Sequence, residues 1–273
     1  MASAEVHHGK APSQTGETDP AGRLFECASL SELRQRVTHD QLQRPERIQF
    51  DLIIAPTAGN GEHEVDFIRA PINRHHWVHV RAGQAHRWIL GGYEADLILL
   101  EPLPDNSLWH PGPRVIFFDT DQLRDVASLM AFLRTQNRPR VDPVVMEVTR
   151  DLMVEWFRLD GDLLESDNQL YDQFRNLIER RVTEIRSVEG YAELLGASPR
   201  ALKRATRQAG ADHPKALIEQ GVVLEAKRLF VQSNATIERV ASFLGFDDVA
   251  SFVGFFREVD GQTPTQWLAQ HLG

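Results

Sequence analysis

The segment Ile237-Glu238-Arg239-Val240-Ala241-Ser242-Phe243-Leu244-Gly245-Phe246-Asp247 decides the fold of the last third of the chain, because it repeats an earlier segment. The earlier copy is Val188-Glu189-Gly190-Tyr191-Ala192-Glu193-Leu194-Leu195-Gly196-Ala197-Ser198. Alanine, leucine and glycine coincide in the two copies at an offset of 49 residues (192 to 241). Further along the chain the offset is 50, where Leu202 matches Phe252.

The chemistry of each copy is typical of a helix-turn-helix. The alanine lets two helices cross closely, and the glycine can adopt a positive φ where the first helix ends. Ser198 and Asp247 are predicted to cap the helix that follows, and Pro199 suits the first helical position. We therefore predict helix-turn-helix units over residues 188–209 and 237–259.

The second helix of the first unit carries a row of basic side chains at helical spacing. The row consists of Arg200, Lys203, Arg204 and Arg207, and these residues, together with the cap Ser198 that precedes them, are predicted to contact DNA. A helix that enters the major groove with this face would reach base edges and phosphates. A solvated charged surface is the alternative interpretation.

The equivalent helix of the second unit is less basic. The residues predicted to face DNA there are Val249, Ser251, Val253, Gly254 and Arg257. Asp247 and Asp248 precede them, where they complement the helix dipole but repel phosphate. We expect this unit to position the protein or to contact thymine methyl groups, unless its helix serves only for packing.

The charge of the chain is unevenly distributed. The net charge is −9, but residues 1–179 hold 18 basic and 28 acidic side chains, and residues 180–273 hold 12 and 11. The acidic excess therefore lies outside the predicted helix-turn-helix region, where local basic groups can still attract phosphates.

Other features of the composition favour a cytoplasmic, nucleoid-associated protein with no membrane partner. No apolar run approaches the length of about 20 residues that spans a bilayer, and the N-terminus has no secretory signal pattern. Residues 1–22 read as a disordered lead-in. Cys27 is the only cysteine, which excludes an internal disulfide.

The region between Ile48 and Asp119 contains short β-like runs separated by turn-forming residues. The predicted strands are Phe50–Ala55, Val65–Ile68, Trp77–Val80, Trp88–Leu90, Leu97–Leu100 and Val115–Phe118. Short strands at close spacing indicate an antiparallel barrel or sandwich, and the helical periodicity that follows gives an α+β chain. We expect a β-domain over 23–135, connecting helices over 136–178 and an all-α domain over 179–273.

The C-terminal region resembles the AraC/XylS family of bacterial regulators. The resemblance rests on Leu224-Glu225-Ala226-Lys227-Arg228-Leu229, Val240-Ala241-x-x-Leu244-Gly245-Phe246, Phe252-x-x-Phe255-Phe256-Arg257 and Gly261-x-Thr263-Pro264. Gly254 stands where the family often has a basic residue. The resemblance implies a transcription regulator that binds specific double-stranded DNA, contacts RNA polymerase and forms a homodimer.

The resemblance also implies that the β-domain is a cupin-like barrel that binds a small-molecule effector. The N-terminal match rests on residues 61–67 and 80–88. We predict an effector pocket containing His63, Phe67, Trp77, His86 and Trp88, because such pockets are apolar with a few polar groups.

Two alternatives remain open at this stage. A metal-dependent cupin enzyme would need three or four converging ligands, but Val65 stands where a second histidine belongs and leaves only His63 and His86. A ligand-binding protein that does not bind DNA is the other alternative. Since we find no catalytic set, metal site or cofactor motif, we expect no enzymatic activity.

Apolar stripes over 143–159 and 170–185 are candidates for dimer contacts. Trp156 in the first stripe is large enough to anchor one. Packing of both stripes against the β-domain of the same chain is the competing interpretation.

Overall fold

The computed structural model describes residues 25–89, 91–102, 113–136, 148, 151, 168–233 and 235–272. The strands are β1 (Phe25–Ser29), β2 (Glu46–Arg47), β3 (Asp51–Gly59), β4 (Gly61–Val65), β5 (Ile68–Ile72), β6 (His76–Val80), β7 (Ala85–Ile89), β8 (Tyr93–Leu100) and β9 (Arg114–Phe117). The helices are α1 (Leu30–Arg36), α2 (His39–Gln43), α3 (Thr120–Gln136), α4 (Gln169–Arg181), α5 (Val188–Leu194), α6 (Pro199–Gln208), α7 (Pro214–Ser233), α8 (Ile237–Phe243), α9 (Val249–Asp260) and α10 (Pro264–His271).

The order of these elements confirms the α+β class. Strands β1 to β9 all precede α3, and every described element after α3 is a helix. The sequence analysis missed β1, β2 and the short helices α1 and α2, which are capped by Ser29 and Thr38. No helix in the described ranges has the length and apolar character needed to cross a bilayer.

The β-domain consists of two antiparallel sheets. One has the order β1-β8-β3-β6-β9 and the other the order β2-β7-β4-β5. No strand pairing in the described ranges joins the two sheets, so they form an open sandwich, one of the two architectures that the strand spacing predicts.

Alternating side chains of β3 explain why the five-stranded sheet is buried on both faces. Leu52 and Ile54 pack in a core shared with β4 and β7, while Ile53 packs in a separate core with α3. The period of two along a strand sends neighbouring side chains to opposite faces. The first of these cores lies between the two sheets.

The predicted strand Val65–Ile68 is wrong, because the chain reverses there. Val65 pairs with Ile68 as β4 turns into β5. The turn residues Asp66 and Phe67 have φ values of 49° and 66°. Positive φ at both central residues defines the type I′ turns favoured in two-residue hairpins, but such turns usually contain Asn and Gly. Without those residues the turn had no sequence signature.

Helices α4 to α10 form one C-terminal core. Phe174 and Ile178 of α4 are buried in the same cluster as Leu202, Phe230 and Phe252. The apolar stripe over 170–185 therefore packs mainly against the C-terminal helices of its own chain, and its buried residues Phe174 and Ile178 are not free for a dimer contact. The predicted helix over 143–159, including Trp156, and the lead-in over 1–22 lie outside the described residues apart from 148 and 151.

A pair of histidines is buried between the two sheets. Nε2 of His63 lies 3.1 Å from Nδ1 of His86, and Nε2 of His86 lies 3.4 Å from a carboxylate oxygen of Glu46. A carboxylate only accepts hydrogen bonds, so His86 carries its proton on Nε2 and accepts from His63. This tautomer leaves Nδ1 of His63 without a hydrogen-bond partner among the described residues. Burial and the neighbouring His86 hold the pKa of His63 well below its ordinary value.

We predict that acid destabilises the chain partly through His63. The folded state keeps His63 neutral while the unfolded chain takes up a proton below about pH 6.5. The contribution of His63 to the free energy of unfolding is therefore fully present above that pH. Below it, the free energy of unfolding falls by up to about 1.4 kcal/mol per pH unit and per histidine. Urea unfolding at pH 7.5, 6.5 and 5.5 measures this slope.

The matched variant is His63→Gln, whose amide can still donate to His86 but does not titrate. In this variant the free energy of unfolding should depend less steeply on pH, by the contribution of about one bound proton. Burial also lowers the pKa of His79, so part of the slope will persist. An unchanged slope in His63→Gln would contradict the assignment.

Candidate nucleic-acid interface

Each helix-turn-helix unit turns at a glycine with positive φ. Gly196 has φ 60° and Gly245 has φ 71°. The residue after each glycine donates to the buried alanine's carbonyl: Ala197 to Ala192 and Phe246 to Ala241, both at 2.9 Å. These hydrogen bonds satisfy carbonyls that the helix end leaves open. The two turns are thus built alike, as the repeat predicts.

The second helix of the first unit, α6, begins at a well-defined cap. Ser198 Oγ accepts from the Ala201 N–H at 3.1 Å, and Pro199 occupies the first turn. Leu202 and Ala205 on its inner face are buried. The opposite face is therefore fixed toward solvent.

That outer face carries the predicted basic row. Arg200, Lys203, Arg204 and Arg207 are all exposed. In the described part of the chain no carboxylate lies within ion-pair distance of any of them. Four exposed cations on one helix face form a positive surface that phosphates can approach.

The second helix of the second unit, α9, presents a different surface. Ser251, Gly254 and Arg257 are exposed, whereas Val249 and Val253 are half-buried. The cap is Asp248, one residue later than predicted, because the second turn contains one more residue. This insertion is where the repeat offset changes from 49 to 50.

Asp248 engages Ser251, which was predicted to contact DNA. It accepts from the Ser251 N–H at 2.8 Å and from the Ser251 hydroxyl at 2.6 Å. These two hydrogen bonds lower the pKa of Asp248, so the N-terminus of α9 keeps its negative charge at neutral pH. Only Arg257 on this helix offers a cation.

The predicted effector residues fall in three places. His63, His86 and Trp88 are adjacent, with ring centroids 4.8–5.9 Å apart, between the sheets. Trp77 packs on the other face of the five-stranded sheet, against Phe118. The ring of Phe67 points away from the β-domain and packs edge-on against Trp267 of α10, with ring centroids 4.9 Å apart.

A cavity of about 280 Å³ lies where the Asp66–Phe67 turn meets α4, α7 and α9. Its walls include Phe67, Ile68 and Leu224, and its polar lining includes Gln220 and Lys227. Phe67 is the one predicted effector residue in its lining.

Four charged residues that join the β-domain to α7 were missed by the sequence analysis. They are Arg47, Asp66, Glu225 and Arg228. Glu225 and Arg228 lie three positions apart, on one face of a helix, inside the quoted motif, which is the one signal that could have drawn attention to them. Their partners lie more than 160 positions away in the sequence.

A family model described as a helix-turn-helix domain matches residues 191–270. No curated protein matches the chain.

Among solved structures, ToxT from Vibrio cholerae is 11% identical with a TM-score of 0.46, covering 91% of this chain and 99% of that one. ToxT of strain SCE256 with bound unsaturated fatty acid is 12% identical with a TM-score of 0.43, covering 92% and 96%. A DNA-binding transcriptional dual regulator from Escherichia coli K-12 is 24% identical with a TM-score of 0.34, covering 39% and 95%.

The domain match agrees with the paired turns, the buried alanines and the exposed basic helix. Residues 191–270 are therefore a helix-turn-helix domain of the AraC type.

Proposed function

We propose that the chain regulates transcription by binding specific double-stranded DNA, with α6 in the major groove. The observation that carries this proposal is the row Arg200, Lys203, Arg204 and Arg207, which is exposed, and without an ion-pair partner among the described residues, on a helix whose opposite face is buried. Arginine and lysine form the commonest specific contacts with guanine and also neutralise phosphates. Such a regulator acts by binding and needs no catalytic group.

In this proposal the second unit adds contact area and orientation. Ala250, Ser251 and Gly254 give α9 a small, nearly neutral outer surface. This surface suits close approach and contact with thymine methyl groups. Because α7 joins both units within one core, the two helices keep a fixed separation and can read neighbouring turns of one duplex.

We extend the proposal to a small-molecule response and to action in the cytoplasm, as a homodimer that contacts RNA polymerase. The effector site that the geometry favours is the 280 Å³ cavity beside Phe67. Its volume is close to the lower end of the roughly 300–1,000 Å³ range of ligand sites. Its lining comes from both the β-domain and the helices, so a ligand there would touch both.

Lys203→Ala and Arg204→Ala should each weaken specific DNA binding by roughly 1–3 kcal/mol. Each should also reduce, by about one, the slope of the logarithm of the binding constant against the logarithm of the salt concentration. Titration of a fluorescent duplex, selected by the wild-type chain from a random pool, measures both quantities. Arg257→Ala in the second unit should cost less than either.

The matched control is Arg69→Ala, which removes an equal charge from an arginine that is 59% exposed in the β-domain. It should leave binding unchanged. Equal affinities of Lys203→Ala, Arg204→Ala and the wild-type chain would overturn the assignment of α6.

The cavity predicts one saturable site for an apolar dye such as 1-anilinonaphthalene-8-sulfonate. Leu224→Trp fills the cavity and should weaken dye binding by about tenfold or more, which corresponds to about 1.4 kcal/mol. The same change at Leu194, an exposed residue of α5, should have no effect. Equal dye affinity of Leu224→Trp and wild-type chains would rule out this site.

A further inference from the structure

Arg186 connects the start of the first helix-turn-helix unit to the turn of the second. It stands immediately before Ser187, which caps α5. Its guanidinium carbon lies 4.5 Å from the centroid of the Phe246 ring, and its Nη2 lies 3.7 Å from the position that a Cβ on Gly245 would occupy. Gly245 and Phe246 form the turn that leads into α9. An arginine that precedes one unit in the chain therefore lies on the surface of the other.

The charge of Arg186 is not neutralised in the described part of the chain. No carboxylate there lies within ion-pair distance of it, and Glu184, two positions earlier, is paired with Arg181. Nη2 is buried without a hydrogen-bond partner, but the side chain as a whole is only half-buried. Burial lowers the pKa of Arg186, yet an arginine stays protonated throughout the neutral range. Arg186 therefore keeps a positive charge at the surface beside the second turn.

The ring of Phe246 fixes where that charge lies. A guanidinium over an aromatic face is attracted by the ring, and its planar shape directs the N–H groups outward from that contact. Phe246 is itself held by α9, because its ring lies 5.2 Å from the ring of Phe252 and 5.2 Å from that of Phe255, measured between centroids. Phe252 is fully buried. The position of the charge is therefore tied to α9.

The second unit lacks the positive charge that the first unit provides. Within α9 the one basic side chain is Arg257, whereas α6 carries four. Asp247 and Asp248, exposed just before α9, repel phosphates. In helix-turn-helix complexes the first helix crosses the sugar-phosphate backbone and the second enters the groove, so the turn between them lies close to phosphates. A cation on this turn offsets the two carboxylates where the duplex has to pass.

We propose that Arg186 binds a DNA phosphate at the turn of the second unit and so supplies, from outside the repeat, the positive charge that α9 lacks. The inference deepens the proposed function and rests on it, since it concerns the same duplex. A phosphate contact fixes the position of a protein on DNA but carries no sequence information. Arg186 therefore contributes affinity and register, while base preference stays with α6 and α9.

Arg186→Met in the full-length chain tests this contact. Methionine keeps an unbranched side chain against Phe246 but removes the charge. We expect the affinity for the selected duplex to fall about tenfold, as for the loss of one charged hydrogen bond. The slope of the logarithm of the binding constant against the logarithm of the salt concentration, measured between about 0.05 M and 0.2 M salt, should fall by about one. The relative affinities for duplexes that differ in one base pair should not change.

Three further variants separate charge from packing. Arg186→Lys keeps a charge at the same place and should retain the salt slope with a smaller loss of affinity, because an ammonium can meet a phosphate without the planar fork of arginine. Arg186→Gln repeats the loss of charge with a polar side chain and should give the same slope as Arg186→Met. Arg69→Met makes the same change on an exposed arginine of the β-domain and should bind as the wild type does.

Neutralising single phosphates locates the contact on the duplex. Methylphosphonates placed one at a time along the selected duplex should weaken binding of the wild-type chain at a position that Arg186 contacts. The same methylphosphonate should leave the affinity of Arg186→Met unchanged, because that contact is already lost. This phosphate should lie nearer the bases whose preference Arg257→Ala changes than those whose preference Arg204→Ala changes.

Weaker binding by Arg186→Met with the salt slope and the sensitive phosphates of the wild-type chain would make Arg186 a packing residue and overturn the phosphate contact. Unchanged affinity and slope in Arg186→Met would overturn it as well. Both results leave the proposed function standing. Failure of the wild-type chain to bind any duplex would instead overturn the proposed function, and this contact with it.

Discussion

The positive φ at Gly196 and Gly245 is the constraint on which the rest of the C-terminal architecture depends. Each glycine ends a short helix, and the next N–H returns to the carbonyl of a buried alanine. This reversal directs the following helix so that Leu202 or Phe252 enters the common core. Once α6 is placed in this way, its basic face points to solvent. The proposed DNA-binding surface is thus a consequence of how the turn is closed.

Burial of polar groups distinguishes the β-domain from a purely apolar sandwich. His63 and His86 lie between the sheets, and Asp66 and Arg228 lie between the domains. Polar groups in such places hold their positions only if their partners do. His86 also connects these regions, because its strand pairs with Glu46–Arg47 and adjoins Ala85, which donates to Asp66. Only two or three neighbouring positions therefore separate the residues between the sheets from those that contact α7.

The sequence predicted the features that depend on local chemistry. The repeat, the cap at Ser198, the turn glycines and the basic row are all encoded within a few residues of one another. The one-residue displacement of the second cap, from Asp247 to Asp248, arose because an insertion in a turn leaves no periodic signal. The class of the β-domain was also readable, since most strands were found from their short apolar runs and turn residues.

What the sequence did not reveal depends on contacts between distant residues. Arg47 meets Glu225 across 178 positions, and Asp66 meets Arg228 across 162. The hairpin at Asp66–Phe67 lacks the usual turn residues, because contacts with the C-terminal helices stabilise it. Phe67, Trp77 and His63 were predicted to line one pocket but lie in three separate places, for the same reason. Alternation along a strand predicts which face a side chain occupies, whereas the element that packs on that face depends on the tertiary structure.

Localised cleavage of bound DNA tests the central claim most directly. Lys203→Cys, in a chain whose buried Cys27 is replaced by serine, can carry an iron chelate that cuts nucleotides near position 203. Bound to a duplex selected by the wild-type chain, this protein should cut a few adjacent nucleotides facing one major groove, whereas the chelate at Arg69→Cys should cut none of them. Scattered cuts, or none, from position 203 on a duplex that the protein still binds would contradict the placement of α6 in the groove.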